Sequence, residues 1–316
     1  MLKKRARRTD DILDILDHYD QVYKVSILSA VPAILLKIVF VNLPPENAVE
    51  SSPPVSFLPV LPGDETDEQG VPTVRGAMAA EPPLVPDEAF LAELARESQA
   101  LENASPQEIL RWAVGRFAPR FTMATAFGPE GMTIIHMLSE IAPETPIFNL
   151  ETGYQFDETM ELRERVKDRY GIEVQYKLPE QSVEEFEAAH GGPLYKTNPN
   201  LCCFERKIRV LHQAARGWHA WASAIRRDQS EDRAKAPIVG WDKKFQLVKV
   251  SPLANWTHKK VWSMIMDEKI PYNPLHDRGY PSVGCQPCTR SVQPGEDERA
   301  GRWSGFQKTE CGLHSS

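Results

Sequence analysis

The sequence predicts an α/β fold, a parallel sheet with helices on both faces. Two observations predict it. Short apolar runs suited to buried strands recur at Phe121–Phe127, Pro146–Leu150, Ile172–Tyr176, Trp218–Ile225 and Phe245–Val250. Between them lie segments of helical length with their own cap and stop signals, and strands that alternate with helices assemble as a covered parallel sheet. Apolar residues make up 41% of the 316, enough for a full core. The net charge of −7 gives no general attraction for nucleic acid.

The elements follow in order from Pro86. Ser105-Pro106-Gln107-Glu108 is a capping box with proline at the first helical position, opening a helix to about Phe117. Gly128-Pro129-Glu130-Gly131 is a turn after the first strand, leading into a helix over Met132–Ile141. The second strand ends in Glu151-Thr152-Gly153. A helix over Asp157–Tyr170 is stopped by Gly171. After a looser stretch at Gly191-Gly192, Cys202-Cys203 opens a helix to about Arg216. Thr257 caps a helix with Val261, Trp262 and Ile265 on one face.

Three regions are expected: an extension over 1–85, an α/β domain over 86–290 and a mobile tail over 291–316. The extension has a basic start, an apolar run over Val25–Val41 at the lower edge of membrane-spanning length, and a Pro-, Glu-, Asp- and Ser-rich linker. Pro32 and Lys37 interrupt the run, and Asp10, Asp11, Asp14 and Asp17 lie before it, which suits a secretory signal poorly. One reading takes 1–77 as translated upstream sequence and Met78 as the natural start.

Five cysteines are too few for a disulfide framework in a chain this long and suit a reducing compartment. Cys285 and Cys288 form a C-x-x-C, while Cys202 and Cys203 are adjacent. Adjacent side chains diverge, and structural zinc sites space their paired ligands further apart, so the spacing favours an iron–sulfur cluster on four thiolates. The plainer alternative makes Cys202 and Cys203 buried apolar residues.

In an open parallel sheet, ligands bind beyond the carboxyl ends of the strands. Three loops fall there: Ala126–Gly131, where Gly128 permits close approach, Leu150–Gly153 with Glu151, Thr152 and Gly153, and Arg226–Ser230. Arg206, Lys207 and Arg209 follow the paired cysteines, and Arg278 and Arg290 flank the C-x-x-C. Alone, Arg226-Arg227 reads as a solvated pair. Together these cations suit a substrate with more than one anionic group. A terminal cysteine such as Cys311 is usually an idle thiol, but in a cationic pocket it would ionise and become a nucleophile.

Four stretches then carry a resemblance: Cys202-Cys203-Phe204-Glu205-Arg206-Lys207, Arg226-Arg227-Asp228-Gln229-Ser230, Gly284-Cys285-Gln286-Pro287-Cys288-Thr289-Arg290 and Glu310-Cys311-Gly312-Leu313-His314. Together they resemble the adenylyl-sulfate reductases of sulfate assimilation, from about Arg111 to His314. The resemblance implies an adenine-nucleotide α-hydrolase-like sheet related to the PP-loop ATPases. It implies a [4Fe-4S] cluster on Cys202, Cys203, Cys285 and Cys288. It also implies cytoplasmic reduction of adenosine 5′-phosphosulfate (APS) to sulfite and AMP, with thioredoxin or glutaredoxin as donor. Cys311 would be the nucleophile, assisted by Lys207 and His314, and would carry an S-sulfocysteine. Substrate contacts would come from Gly128, Glu151, Thr152, Gly153, Arg206, Arg226, Arg227, Arg278 and Arg290.

Two departures stand out. The first loop lacks the Ser-Gly-rich form of relatives, and Ala224 stands where they often have glycine. Competing readings are a reductase of the 3′-phosphorylated substrate (PAPS), or of both, and an iron–sulfur sensor without turnover. An ATP-dependent PP-loop enzyme would want a Ser-Gly-Gly-x-Asp-Ser loop, which is absent.

Overall fold

A computed structural model describes residues 84–306 and Lys308. Residues 1–83 of the extension, Met78 among them, lie outside the described residues, as do Cys311 and His314. No helix among the described residues is long and apolar enough to cross a membrane.

The chain enters through α1 (Glu88–Ala100) and α2 (Pro106–Phe117). The predicted capping box is present: the Ser105 hydroxyl accepts from Glu108 N and the Glu108 carboxylate accepts from Ser105 N. Next come β1 (Phe121–Thr125), α3 (Pro129–Ile141), β2 (Ile147–Leu150), α4 (Asp157–Tyr170) and β3 (Gln175–Lys177). Helix α3 starts at Pro129 rather than Met132, because Gly128 serves as N-cap and proline suits the first turn. Helix α4 stops where expected, at a left-handed Gly171 with φ 67°.

Short helices α5 (Val183–Ala189), α6 (Leu194–Thr197) and α7 (Pro199–Cys203) follow, then a π turn over Phe204–Ile208 and α8 (Arg209–Ala214). The cysteine helix therefore opens at Pro199, where the Asn198 side chain accepts from Leu201 N. Cys202 and Cys203 close its first segment. The remaining elements are β4 (Ala220–Ala222), β5 (Val239–Asp242), β6 (Leu247–Val250) and α9 (His258–Asp267). Thr257 caps α9, with Val261 and Ile265 buried.

The six strands lie in the order β3-β2-β1-β4-β6-β5. Five are parallel, and β5 pairs antiparallel with β6. The expected parallel sheet is present with one strand added: β5, unforeseen, forms a hairpin edge. Every predicted strand is shorter than its apolar run. The main core packs α1, α2, α3, α4 and α9 residues against β1 and β4, with Leu110, Ile134, Leu138, Leu162 and Val261 fully buried. A second cluster, Phe148, Leu211, Trp221, Phe245 and Leu247, covers the opposite face. The chain runs outward from central β1 through β2 to β3 and then returns to β4 on the other side of β1, so the strand order reverses between β1 and β4, where a crevice opens.

Candidate active site

A cleft of about 290 Å³ occupies that crevice. Its floor comes from the ends of β1, β2 and β4: Thr125, Asn149, Trp221 and Ser223. The first loop is shaped by close contacts. Phe127 takes a left-handed φ of 55° and its N–H donates to Thr125 Oγ1 at 3.0 Å. A Cβ on Gly131 would stand 2.8 Å from the same hydroxyl, so only glycine lets α3 begin this close to β1. The second loop is tied in by Gln155, which donates to Asn149 Oδ1 and Leu150 O, both at 2.7 Å.

Beside the cleft is a smaller cavity lined by all four expected cysteines: Cys202, Cys203, Cys285 and Cys288. All four are free thiols. Tyr154, Tyr195, Pro199, Pro287 and Trp303 close it with apolar surface. Thr152, Lys207, Cys285, Arg302 and Trp303 line both spaces and form the wall between them. Among the described residues, no three His, Cys, Asp or Glu converge as a single-ion site. The thiols share a cavity rather than a point.

Their electrostatics differ. Burial, with the other three thiols beside it, pushes Cys202 up to about 12. Burial and Cys285 with Cys203 push Cys288 up to about 11. Loss of solvent also acts upward on Cys285, but Lys207, Thr152 and Arg302 outweigh it and leave that thiol below its ordinary value. Lys207 thus faces the cysteines and the cleft at once.

The expected arginines separate. Arg226 lines the cleft but is 2% exposed and paired with Glu130 and, at 2.8 Å, with Asp228. Arg206 is buried in the cysteine wall, where its Nε donates to Thr152 O at 2.5 Å and its Nη1 to Gln181 O and Ser182 O. It holds the second loop in place. Arg227 turns away from the cleft to Glu102, Asn255 and Ala236 O. Arg278 pairs with Glu158 at 2.7 Å and Arg290 with Glu296 at 2.8 Å, both on the surface. These three line neither space, because each has a nearer carboxylate. Glu151 and Gly153 also lie off the cleft: Glu151 accepts from Gly153 N and is buried. A Cβ on Gly153, at φ 77°, would collide with Val183 Cγ2 and stand 3.1 Å from Arg206 Nη2. Gly128 and Thr152 do line the cleft.

Sequence reasoning missed Arg233, Arg299, Arg302, His258 and His276, which complete the cleft. Arg299 and Arg302 belong to the stretch expected as mobile tail. That stretch folds back: Arg290 N donates to Gly301 O, Trp303 N donates to Cys288 O, and Trp303 is 3% exposed. A tryptophan within a charged run was the available signal.

Comparisons with known proteins agree with this geometry. The family model described as the phosphoadenosine phosphosulfate reductase domain matches residues 120–291. Adenosine 5′-phosphosulfate reductase of Halalkalibacterium halodurans is 42% identical over 230 residues, covering 72% of this chain and 99% of that protein. Phosphoadenosine 5′-phosphosulfate reductase of Gloeobacter violaceus is 42% identical over 238 residues, covering 74% and 98%. Adenosine 5′-phosphosulfate reductase 2 of Bacillus subtilis is 46% identical over 208 residues, covering 66% and 88%. The crystal structure of phosphoadenylyl-sulfate reductase from Candida auris, a phosphate complex, superposes with a TM-score of 0.58 at 29% identity, covering 67% and 100%.

Proposed function

Because this chain belongs to the phosphoadenosine phosphosulfate reductase family, and so is an oxidoreductase of sulfate assimilation, we propose that it reduces APS to sulfite and AMP. The observation that carries the proposal is the wall shared by a four-cysteine cavity and a nucleotide-sized cleft at the sheet's switch point.

The cleft suits an adenylyl-sulfate. Residues at the start of α3 offer backbone N–H groups to the α-phosphate. Lys207 and Arg302 supply positive charge for the sulfonate at the cysteine end, and Arg299 adds to the positive charge of the cleft. Arg226 is already neutralised by two carboxylates, so it shapes the cleft more than it clamps the substrate.

A [4Fe-4S] cluster is the cofactor proposed for Cys202, Cys203, Cys285 and Cys288. Four thiols that share an enclosed cavity without converging on one point fit a group larger than a single ion. When bound, it supplies a crosslink between the cysteine helix and the C-x-x-C loop, and a field beside the substrate.

The proposed steps use thiol chemistry. The Cys311 thiolate attacks the sulfonyl sulfur. A Cys311 S–S bond forms, the bond to the phosphate oxygen breaks, and AMP leaves with the electron pair. A thioredoxin thiolate then attacks Cys311 Sγ, and sulfite departs with the S–S electrons. The second thioredoxin thiol resolves the mixed disulfide, so a dithiol becomes a disulfide and Cys311 returns as thiol. Cations on the shared wall favour the thiolate and the developing charge.

The test is anaerobic sulfite release from APS and PAPS side by side, with and without reduced thioredoxin. Turnover of APS that needs thioredoxin is expected. Sulfite from neither substrate would reject the activity, and higher kcat/KM with PAPS would reassign the substrate.

A further inference from the structure

Arg302 stands on the wall common to the cysteine cavity and the cleft. Its guanidinium lies over the Trp303 ring at 4.5 Å, and Nη1 donates to Ser282 Oγ at 3.2 Å. Nη1 also reaches Val283 O at 3.4 Å, and the guanidinium packs against Gly284. A Cβ built on Gly284 would collide with Arg302 Nη2 and Cζ and stand 2.9 Å from Nε. Gly284 is not among the glycines with positive φ, so no left-handed backbone demands glycine there. What demands it is the space that the guanidinium fills.

The three nearest atoms to that Cβ all belong to one flexible side chain, none to backbone. The conflict at Gly284 is therefore relieved by moving Arg302, not by deforming the loop. Gly301, just before Arg302, differs: its nearest neighbour is the backbone oxygen of Arg290. Gly301 lets two backbone segments approach, whereas Gly284 makes room for a charged group.

We propose that Gly284 is a positioning residue for the reductase reaction, its missing side chain forming the seat that holds the Arg302 guanidinium between the cysteine cavity and the cleft. The inference rests on the adenylyl-sulfate reading of the cleft. A methyl group at this position leaves the fold and displaces one cation from the sulfonate end.

The experiment compares anaerobically purified wild type, Gly284→Ala, Arg302→Ala and the double variant. Two readouts are taken: kcat/KM for APS, and the phenylglyoxal labelling rate of Arg302 followed by peptide mass. In Gly284→Ala, labelling should rise severalfold as the guanidinium leaves its seat. Its kcat/KM should fall about tenfold or more, the scale of one lost hydrogen bond to a charged group. The double variant should be no worse than Arg302→Ala alone, because the methyl then displaces nothing. Unchanged labelling overturns the proposal, and so do penalties that multiply in the double variant. Should Gly284→Ala fail to fold, recovery of folding in the double variant supports the seat, and no recovery overturns it. If wild type does not turn over APS, the functional reading fails by itself, while labelling still reads the Gly284–Arg302 contact.

Discussion

Thr152 Oγ1 lies 3.4 Å from Cys285 Sγ, across 133 residues of sequence. One residue beyond Cys285 and two beyond Thr152, Gln286 N donates to Tyr154 O at 2.7 Å. The loop after β2 and the C-x-x-C loop are thus joined by a side-chain contact and a backbone bond. Because Thr152 also lines the cleft, whatever fixes the cysteines also fixes part of the substrate wall.

The first prediction concerns metal. Anaerobically purified protein should carry about four irons and four sulfides per chain, as a four-thiolate cubane requires. Cys288→Ser should lose iron and also weaken AMP binding, through the Thr152–Cys285 junction. Stoichiometric zinc without sulfide, measured by elemental analysis, would refute the cluster.

A second prediction separates the vicinal arginines. Arg226 is 2% exposed and Glu130 13%, so Arg226→Ala leaves a largely covered carboxylate without its partner and should cost about 3 kcal/mol. It should also impair turnover, since both residues line the cleft. Arg227 and Glu102 are 26% and 41% exposed, and Arg227→Ala should cost about 1 kcal/mol or less. Its KM for APS should match wild type. Urea unfolding with steady-state kinetics checks both; a large KM change in Arg227→Ala would contradict the placement.

A third prediction follows from Glu151. Burial raises its carboxyl above the ordinary value, against the lowering effects of Gly153 N–H and Arg206. One oxygen, Oε2, is buried without a partner. A carboxyl raised in the folded state holds its proton more tightly there than when unfolded, where it titrates near about 4.3. Relative to Glu151→Gln, wild type should therefore lose stability as pH rises from about 4 through the raised folded value, then stay level. At pH 7 the glutamine variant should be the more stable. Paired unfolding curves from pH 4 to 8 test this, and a constant difference across the range would count against it.

Much of the scaffold was legible because local signals carry it. Ser105-x-x-Glu108 marks a helix start, and Gly171 marks a stop, without help from distant residues. The β5 strand was not legible: Val239-Gly240-Trp241-Asp242 is short, and three of its residues are only partly buried, so neither alternation nor an apolar run appears. The four cysteines were readable from spacing, since a shared cavity needs only the right thiols. The arginines were not, because a long side chain goes to the nearest carboxylate. For Arg227 that is Glu102, 125 residues away. The return of the chain over Cys288 depends on Trp303 finding a buried seat, which composition alone hides behind the surrounding charges.

The last prediction concerns Cys311, which separates an enzyme from a sensor. If four cysteines hold the cluster and Cys311 is the nucleophile, Cys311→Ser should keep its iron and form no sulfite. Serine offers a poorly ionised hydroxyl where a thiolate is needed. APS binding should survive, because Lys207, Arg299, Arg302 and the α3 N-terminus do not depend on that thiol. Wild type mixed with APS and no thioredoxin should gain the mass of one SO₃ on the peptide containing Cys311. Reduced thioredoxin should remove that mass and release one sulfite per adduct. A sensor would bind APS and show neither event. Wild-type sulfite release by Cys311→Ser, or an adduct on another cysteine, would assign the nucleophile elsewhere and leave the cations of the shared wall facing a different thiol.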